Sequence, residues 1–221
     1  MKKISLSTFF ALFLFSLAVS AQTYERAKLW EAEIKTLTEI DVKQTPPKDA
    51  VLFVGSSSIR FWRNLRGDFP QTDIINRGFG GSHLEDVNYY FDKIITPFRA
   101  KKIFLYAGEN DVTAGKTPEM VLEDFRKFTA LVRKKSPHSK IYFISLKPSP
   151  ARWELRDKFQ QTNALIKTEV GKMNNAVFVD VWTAMLDEKG SPKAEIFIAD
   201  KLHLNEKGYA VWREVLAKYL K

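Results

Sequence analysis

The sequence predicts an α/β protein, a three-layer α/β/α sandwich built on a mainly parallel sheet. Five short apolar runs alternate with segments whose apolar residues recur at helical spacing. Most of these runs are continuously apolar, as expected for strands that are buried on both faces. Strands that alternate with helices form parallel sheets covered by helices on both sides. The 221 residues suffice for one sizeable domain.

The first 21 residues are predicted to be a secretory signal peptide. Lys2 and Lys3 precede a hydrophobic run over 9–19, and Val19-Ser20-Ala21 resembles a cleavage site. The run is too short to favour a membrane-spanning helix, and an uncleaved N-terminal anchor is the alternative. We therefore expect an exported protein, periplasmic or extracellular, with no integral membrane segment after cleavage.

Residues 22–49 are predicted to form an N-terminal helix, over about 24–40, and a polar linker that ends at Pro46-Pro47. The main domain is then expected to occupy residues 50–221. Its predicted strands are 50–55, 73–77, 102–107, 140–146 and 176–181.

Helices are predicted between and after these strands. Ser82 and Glu85 have the spacing of a capping box ahead of a helix over 84–95. Thr117 is expected to cap a helix that Pro118 opens, and Asn205 is expected to cap the last helix. The apolar faces of these two helices consist of Val121, Phe125, Phe128 and Val132 and of Tyr209, Trp212, Leu216 and Leu220.

Composition excludes several classes of function. The chain has no cysteine, so a disulfide, a thiol nucleophile and a cysteine-based metal site are all impossible. The formal net charge is +9, but no run of Lys and Arg is dense enough to indicate nucleic-acid binding. His83, Glu85 and Asp86 are close in sequence but lack the two-histidine spacing of a zinc hydrolase. We predict no metal and no nucleic-acid partner.

Polar residues follow the predicted strands, where ligands bind in open α/β sheets. Ser57 follows the first strand, Gly81 the second and Asn110 the third. Asp200 and His203 lie beyond the fifth strand, just before the last helix. All five are therefore expected to meet at one edge of the sheet.

The serine segment and the histidine segment together suggest nucleophilic catalysis. A serine hydroxyl needs a neighbouring base, and Ser57 lies in the turn after the first strand. Ser56 and Ser58 compete for this role, and a plain helix cap is the alternative for all three. The candidate base is His203, because Asp200, three residues upstream, can orient its imidazole.

The sequence offers few other candidates for the base and the acid. Of the two remaining histidines, His138 lies in a predicted exposed loop and His83 has no obvious orienting acid. Asp180, at the end of the fifth strand, is the alternative acid. Alternatively, Asp200 and His203 only cap the last helix.

Two residues are candidate donors to an oxyanion. The absence of a side chain at Gly81 lets its backbone N–H approach a substrate closely. The side chain of Asn110 donates hydrogen bonds without carrying a charge. The alternative is that both are turn residues.

Taken together, the segments VGSSSIRFW, NRGFGGS, GEND and ADKLHLNEKGY resemble the four sequence blocks of the SGNH hydrolases, the GDSL-like lipase/acylhydrolase family. The resemblance covers about residues 50–218. It implies Ser57 as nucleophile, Gly81 and Asn110 with the Ser57 N–H in the oxyanion hole, and Asp200 and His203 as the rest of a triad. It also implies a flavodoxin-like fold with strand order 2-1-3-4-5 and no cofactor.

The first block departs from the family pattern. The usual Gly-Asp-Ser reads Gly55-Ser56-Ser57, although alignment of the preceding strand still places the nucleophile at Ser57. The GSSSIRFW form resembles the subgroup of platelet-activating-factor acetylhydrolase subunits and bacterial sugar-ester esterases.

The sequence thus predicts a secreted serine esterase that acts on a small-molecule or glycan ester. The expected acyl group is short, such as acetyl, on a polar or carbohydrate alcohol. The alternatives are a lysophospholipase or lipase-type acylhydrolase and a catalytically silent glycan- or envelope-binding module. The candidate substrate contacts are cationic side chains that lie near aromatic ones in the sequence. The alternative is that the tryptophans belong to the core and the arginines to the surface. These candidates are Arg60, Trp62, Lys147, Arg152 and Trp153.

Overall fold

A computed structural model describes residues 25–43, 47 and 49–220 of the chain. Within it, five parallel strands form one sheet in the order 2-1-3-4-5, which confirms the predicted α/β architecture. The predicted signal peptide over 1–21 lies outside the described residues. The strands are β1 Val51–Gly55, β2 Ile74–Gly78, β3 Lys102–Tyr106, β4 Lys140–Ile144 and β5 Ala176–Val179.

The two central strands explain the continuous apolar runs. Every residue of β1 is buried, and so is every residue of β3 except Lys102 at its start. At the end of these strands Gly55 pairs with Tyr106 on one side and with Gly78 on the other. Three strands therefore end side by side, and the loops that follow them share one edge.

Helices cover both faces of the sheet. The helices are α1 Glu31–Lys43, α2 Ser57–Arg60, α3 Leu65–Asp68, α4 Leu84–Tyr89, α5 Phe91–Ile94, α6 Glu109–Thr113, α7 Pro118–Lys135, α8 Arg156–Val170 and α9 Glu206–Leu220. One hydrophobic cluster packs α1, α4, α5, α7 and α8 on one face, and a second packs α2, α3 and α9 on the other. Among the described residues, no helix is long and apolar enough to cross a membrane.

Helix ends follow the predicted caps in two of three cases. The Thr117 side chain accepts from the Met120 N–H at 3.3 Å, and Asn205 Oδ1 accepts from the Gly208 N–H at 3.1 Å. The predicted Ser82–Glu85 capping box is wrong by one residue. The cap lies at His83, whose N–H donates to the Asp86 carboxylate at 2.7 Å.

Two helices differ from the sequence expectation. The single helix predicted over 84–95 is divided into α4 and α5 at Tyr90, whose backbone leaves the helical region. Helix α8, between β4 and β5, has no counterpart among the individually predicted helices, but it completes the alternation of strands and helices. In the last helix Leu216 is fully buried, whereas Leu220 is only partly buried.

Candidate active site

Ser57, His203 and Asp200 form a continuous chain of hydrogen bonds at the predicted sheet edge. Ser57 Oγ lies 2.9 Å from His203 Nε2, although the two residues are 146 positions apart. On the other side of the ring, His203 Nδ1 lies 2.6 Å from Asp200 Oδ2. This order matches the roles of nucleophile, base and orienting acid in acyl transfer.

The turn after β1 separates Ser57 from its two neighbours. Gly55 has φ +135°, and a Cβ there would lie 1.9 Å from the Tyr106 carbonyl oxygen, so no other residue fits. The Ser56 N–H donates to that same oxygen at 2.9 Å. Ser56 and Ser58 are each only 3% exposed, whereas Ser57 is half-buried and contacts His203. Only Ser57 of the three is therefore arranged as a nucleophile.

Asp200 is held by its own loop. Its Oδ1 accepts from the Leu202 and His203 N–H groups, both at 2.9 Å. Burial alone would raise the pKa of Asp200, but the hydrogen bonds from His203 and Leu202 outweigh it and lower the pKa to about 2. Asp180, the alternative acid, instead accepts from the Thr183 hydroxyl at 2.7 Å. The structure thus brings Asp200, and not Asp180, to the imidazole.

The two candidate oxyanion donors lie next to each other. Gly81 is exposed in a turn after β2 and has φ +69°, a left-handed conformation that favours glycine. Asn110, in the first turn of α6, donates from Nδ2 to the Ser82 carbonyl at 3.1 Å. The Gly81 turn is therefore tied to Asn110 through Ser82. A third donor is available at Ser57, because the first N–H groups of a helix have no intrahelical acceptor.

Two of the five predicted substrate contacts are buried in the structure. Lys147 is 1% exposed and forms a buried ion pair with Glu109 at 3.1 Å, so its charge is already neutralised inside the protein. Trp62 is 2% exposed and packs against Tyr209 and Trp212 in the core. Its indole N–H donates to Asp68 at 2.6 Å.

The other three predicted contacts have internal partners but keep some exposure. Arg60 Nε pairs with Glu33 at 2.6 Å, and Trp153 stacks on Trp182 with ring centroids 6.1 Å apart. Arg152 Nη1 donates to Asn110 Oδ1 at 3.1 Å. Since Arg152 holds the amide oxygen, the Asn110 NH₂ group is turned toward Ser82 and the site.

Glu109, next to Asn110, is a site residue that the sequence analysis did not predict. It is 3% exposed and accepts from Lys147, from Arg152 and, by a short hydrogen bond, from the Tyr106 hydroxyl. Burial would raise the pKa of Glu109, but the Lys147 and Arg152 cations lower it and keep the carboxylate ionised. The available signal was a carboxylate directly beside Asn110, with two cations in the loop after the fourth strand.

Phe61 was also missed. It is 39% exposed, and its ring meets the His203 ring edge to face at a centroid distance of 5.0 Å. It directly follows α2, four residues after Ser57, and this spacing places both side chains on one face, which was the available signal. Beside His203 lies an open cleft of about 740 Å³, whose walls include Phe61, Ile198 and Arg213. His203 is part of its lining and Ser57 is not.

The remaining histidines do not build a metal centre. His138 is exposed, and His83 lies 3.8 Å from Glu85 and 3.9 Å from Asp111. Over the described part of the chain, no three His, Asp or Glu side chains are grouped so that they could hold a metal ion.

Comparison with known proteins identifies related sequences. The model of the GDSL-like lipase/acylhydrolase family matches residues 44–211, most of the described chain. An N-acylneuraminate cytidylyltransferase from Escherichia coli O18:K1:H7 is 22% identical over 174 residues, which cover 77% of this chain. This chain spans about 40% of the length of that relative.

Solved structures share the fold at low sequence identity. A Streptococcus pneumonia protein, named provisionally as a platelet activating factor, has a TM-score of 0.78 at 22% identity over 92% of this chain and 99% of its own. A GDSL-like lipase from Bacteroides thetaiotaomicron has a TM-score of 0.72 at 19% identity, with coverages of 86% and 97%. An acetylxylan esterase from Geobacillus stearothermophilus has a TM-score of 0.62 at 15% identity, with coverages of 80% and 95%. At these identities the similarity establishes the fold alone.

Proposed function

The chain belongs to the GDSL-like lipase/acylhydrolase family, and from this premise we propose that it is a serine esterase for short-chain carboxylic esters of a polar or carbohydrate alcohol. The observation that carries the proposal is the 2.9 Å contact between Ser57 Oγ and His203 Nε2, with Asp200 bound to the opposite ring nitrogen. A serine hydroxyl becomes nucleophilic when such a base takes its proton.

In the first half of the reaction, His203 Nε2 accepts the Ser57 proton while Ser57 Oγ attacks the ester carbonyl. Negative charge then develops on the carbonyl oxygen. The N–H groups of Ser57 and Gly81 and the Asn110 Nδ2 are the donors proposed to stabilise it. His203 next protonates the leaving alcohol, and Ser57 retains the acyl group.

In the second half, water replaces the alcohol. His203 removes a proton from the water, the resulting hydroxide attacks the acyl carbonyl, and the proton returns to Ser57 Oγ as the acid leaves. Asp200 keeps one tautomer of the imidazole and stabilises the imidazolium that forms in each half. Its low pKa of about 2 keeps the carboxylate ionised while it does so.

The exposed Phe61 ring supports a polar, flat-lying alcohol such as a sugar, because it offers an apolar face directly beside His203. The acetylxylan esterase with the same fold acts on an ester of this class. One observation favours a second candidate, a lipase-type acylhydrolase: the 740 Å³ cleft beside His203 includes apolar walls at Ile198 and Leu204. An acyl chain longer than acetyl would fit along it.

A chain-length series of p-nitrophenyl esters separates these candidates. For the proposed esterase, kcat/KM falls steeply from acetate to octanoate. A kcat/KM that climbs with chain length would favour the lipase-type acylhydrolase. No turnover of any ester, together with binding to acetylated glycans, would indicate a silent binding module on the same fold.

We also propose that the enzyme works outside the cytoplasm, on the basis of the signal-peptide pattern in residues 1–21. Expression of the full chain in a bacterial host, with N-terminal sequencing of the exported product, tests this. A mature terminus at Gln22 supports export with cleavage, and a protein retained in the cytoplasm with Met1 intact contradicts it.

A further inference from the structure

The N-terminal helical segment, residues 25–43, contacts the turn that carries Gly81. This segment lies outside the residues matched by the family model, which begin at 44. The indole N–H of Trp30 donates a short hydrogen bond to the Gly80 carbonyl oxygen. From the next turn, Glu33 Oε2 accepts from the Gly80 N–H at 3.3 Å. Both backbone polar groups of Gly80 are therefore held by this segment.

The bond to the Gly80 carbonyl fixes the direction of the Gly81 N–H. The two groups belong to the same planar peptide unit, and in a trans peptide the C=O and the N–H point in opposite directions. Because Trp30 holds the oxygen on one side, the Gly81 N–H is aimed away from Trp30 on the other. That N–H is the proposed oxyanion donor.

At Gly81 itself the turn has no packing, although Asn110 holds it through Ser82. A Cβ added at Gly81 would meet nothing within 4 Å, so the turn is open on that side. Trp30, in contrast, is anchored: its ring meets Phe79 edge to face at 6.0 Å, and the Arg26 guanidinium lies 5.6 Å from its ring centre. Ring contacts therefore hold Trp30 where it meets the Gly80 carbonyl oxygen.

Glu33 also contacts the helix that carries the nucleophile. Its Oε1 lies 2.6 Å from Arg60 Nε, and Arg60 is the last residue of α2, the helix that Ser57 begins. One carboxylate thus contacts both the oxyanion turn and the nucleophile helix. A shift of either element relative to the other would lengthen one of these contacts.

We propose that Trp30 and Glu33 are positioning residues for the oxyanion hole, so that the N-terminal segment is a working part of the active site. This inference rests on the proposed esterase function. Trp30 acts by orienting the Gly80–Gly81 peptide, and Glu33 acts by fixing the distance between that peptide and the Ser57 helix.

The test compares Trp30→Phe with Leu29→Ala in the full chain, using p-nitrophenyl acetate. Phenylalanine keeps the aromatic packing and removes the N–H, whereas Leu29 is 76% exposed and serves as a matched control in the same turn. For Trp30→Phe we expect kcat to fall roughly tenfold, with KM changed less than about twofold, because a misaimed donor loses much of its transition-state stabilisation. Rates are normalised to the concentration of serine that an organophosphate can titrate.

A tetrahedral inhibitor provides the second readout. Binding of a phenylboronic acid, whose serine adduct carries the oxyanion charge, should weaken by about the same factor as kcat/KM. Glu33→Ala should lower kcat by a smaller factor, and Glu33→Gln, which keeps an acceptor for the Gly80 N–H, should recover part of that loss.

Wild-type kcat and boronate affinity in Trp30→Phe would overturn the inference and leave the esterase function intact. A fall in titratable serine with normal kcat per titrated site would also overturn it, since it would show a purely structural role. No turnover in the wild-type protein and in Leu29→Ala would overturn the proposed function itself, and this inference with it.

Discussion

The two sides of the candidate site are built differently, although they share one edge of the sheet. On the base side, Asp200 and His203 are 41% and 21% exposed in their side chains and are held by one short loop. On the oxyanion side, Arg152 links Asn110 to a buried ion pair. The side chains of this pair, Glu109 and Lys147, are 4% and 1% exposed. The base side is held by local backbone contacts, and the donor side by ion pairs between distant segments.

The difference matches what each side has to do. Donors to a developing oxyanion stabilise it only if they are oriented before the reaction, because reorientation during the reaction would cost free energy. Ion pairs with Lys147 and Arg152 hold Glu109, and Arg152 in turn donates to Asn110 Oδ1, which orients the Asn110 amide. In the proposed mechanism the imidazole exchanges protons with Ser57, the alcohol and water, and a water-accessible position suits that task.

The largest effect is expected from Ser57→Ala, with Ser56→Ala as its matched control. Loss of the nucleophile should lower kcat by several orders of magnitude and leave the unfolding temperature nearly unchanged, because the half-buried hydroxyl has no core role. Steady-state kinetics and thermal unfolding measure both. A Ser57→Ala protein with near-native activity, beside an inactive Ser56→Ala, would assign the nucleophile to Ser56.

Asn110→Ala should have the next largest effect on activity, because it removes one proposed oxyanion donor and leaves the Ser57–His203–Asp200 contacts in place. We expect kcat to fall by about 10²–10³, with a smaller change in KM, because the donor acts mainly on the developing charge. Asn174→Ala, at an exposed turn asparagine, is the control and should change neither. If Asn110→Ala only lowers the unfolding temperature, Asn110 is a turn residue.

Glu109→Gln tests, through protein stability, whether the buried ion pair supports the oxyanion side. Removing the carboxylate deprives the buried Lys147 of its counter-ion, so we expect a loss of about 3–5 kcal/mol in the free energy of unfolding. Glu154→Gln, at an exposed position in the same loop as Lys147, should be neutral. Urea denaturation measures both. Equal midpoints for the two variants would mean that the ion pair does not hold the donor side.

Asp200→Asn should lower stability less than Glu109→Gln, because water screens its 41% exposed carboxylate. The pKa of Asp200 is lowered from 3.8 to about 2, so its contribution to folding is fully present above 3.8 and is lost as the pH falls through about 2. The gap between the unfolding temperatures of wild type and variant should therefore shrink as the pH falls from about 4 through about 2. A gap that stays unchanged over this range would contradict the assigned hydrogen bonds.

The strands and the order of the site segments could be predicted because each depends on local sequence. Continuous apolar runs mark buried parallel strands, and strand ends collect ligand-binding loops in any open α/β sheet. The position of Ser57, Asn110 and His203 at a common edge follows from that topology. The helix cap at Thr117 is equally local.

The partners of the charged and aromatic residues could not be predicted in this way. Lys147 was expected to face a substrate, but it pairs with Glu109, which lies 38 positions away on a neighbouring strand end. Trp62 is enclosed by Tyr209 and Trp212, from the far end of the chain. Whether such a side chain faces solvent or the interior depends on segments that only the folded chain brings together.

Covalent labelling tests Ser57 as the activated nucleophile most directly. The wild-type protein is incubated with a fluorophosphonate, digested, and analysed by mass spectrometry to locate the adduct. We predict one adduct per chain, on Ser57, formed in step with the loss of esterase activity and slowed strongly in His203→Ala. An adduct on Ser56 or Ser58, or full inactivation with Ser57 unmodified, would contradict the assignment of Ser57 and His203 as the catalytic pair.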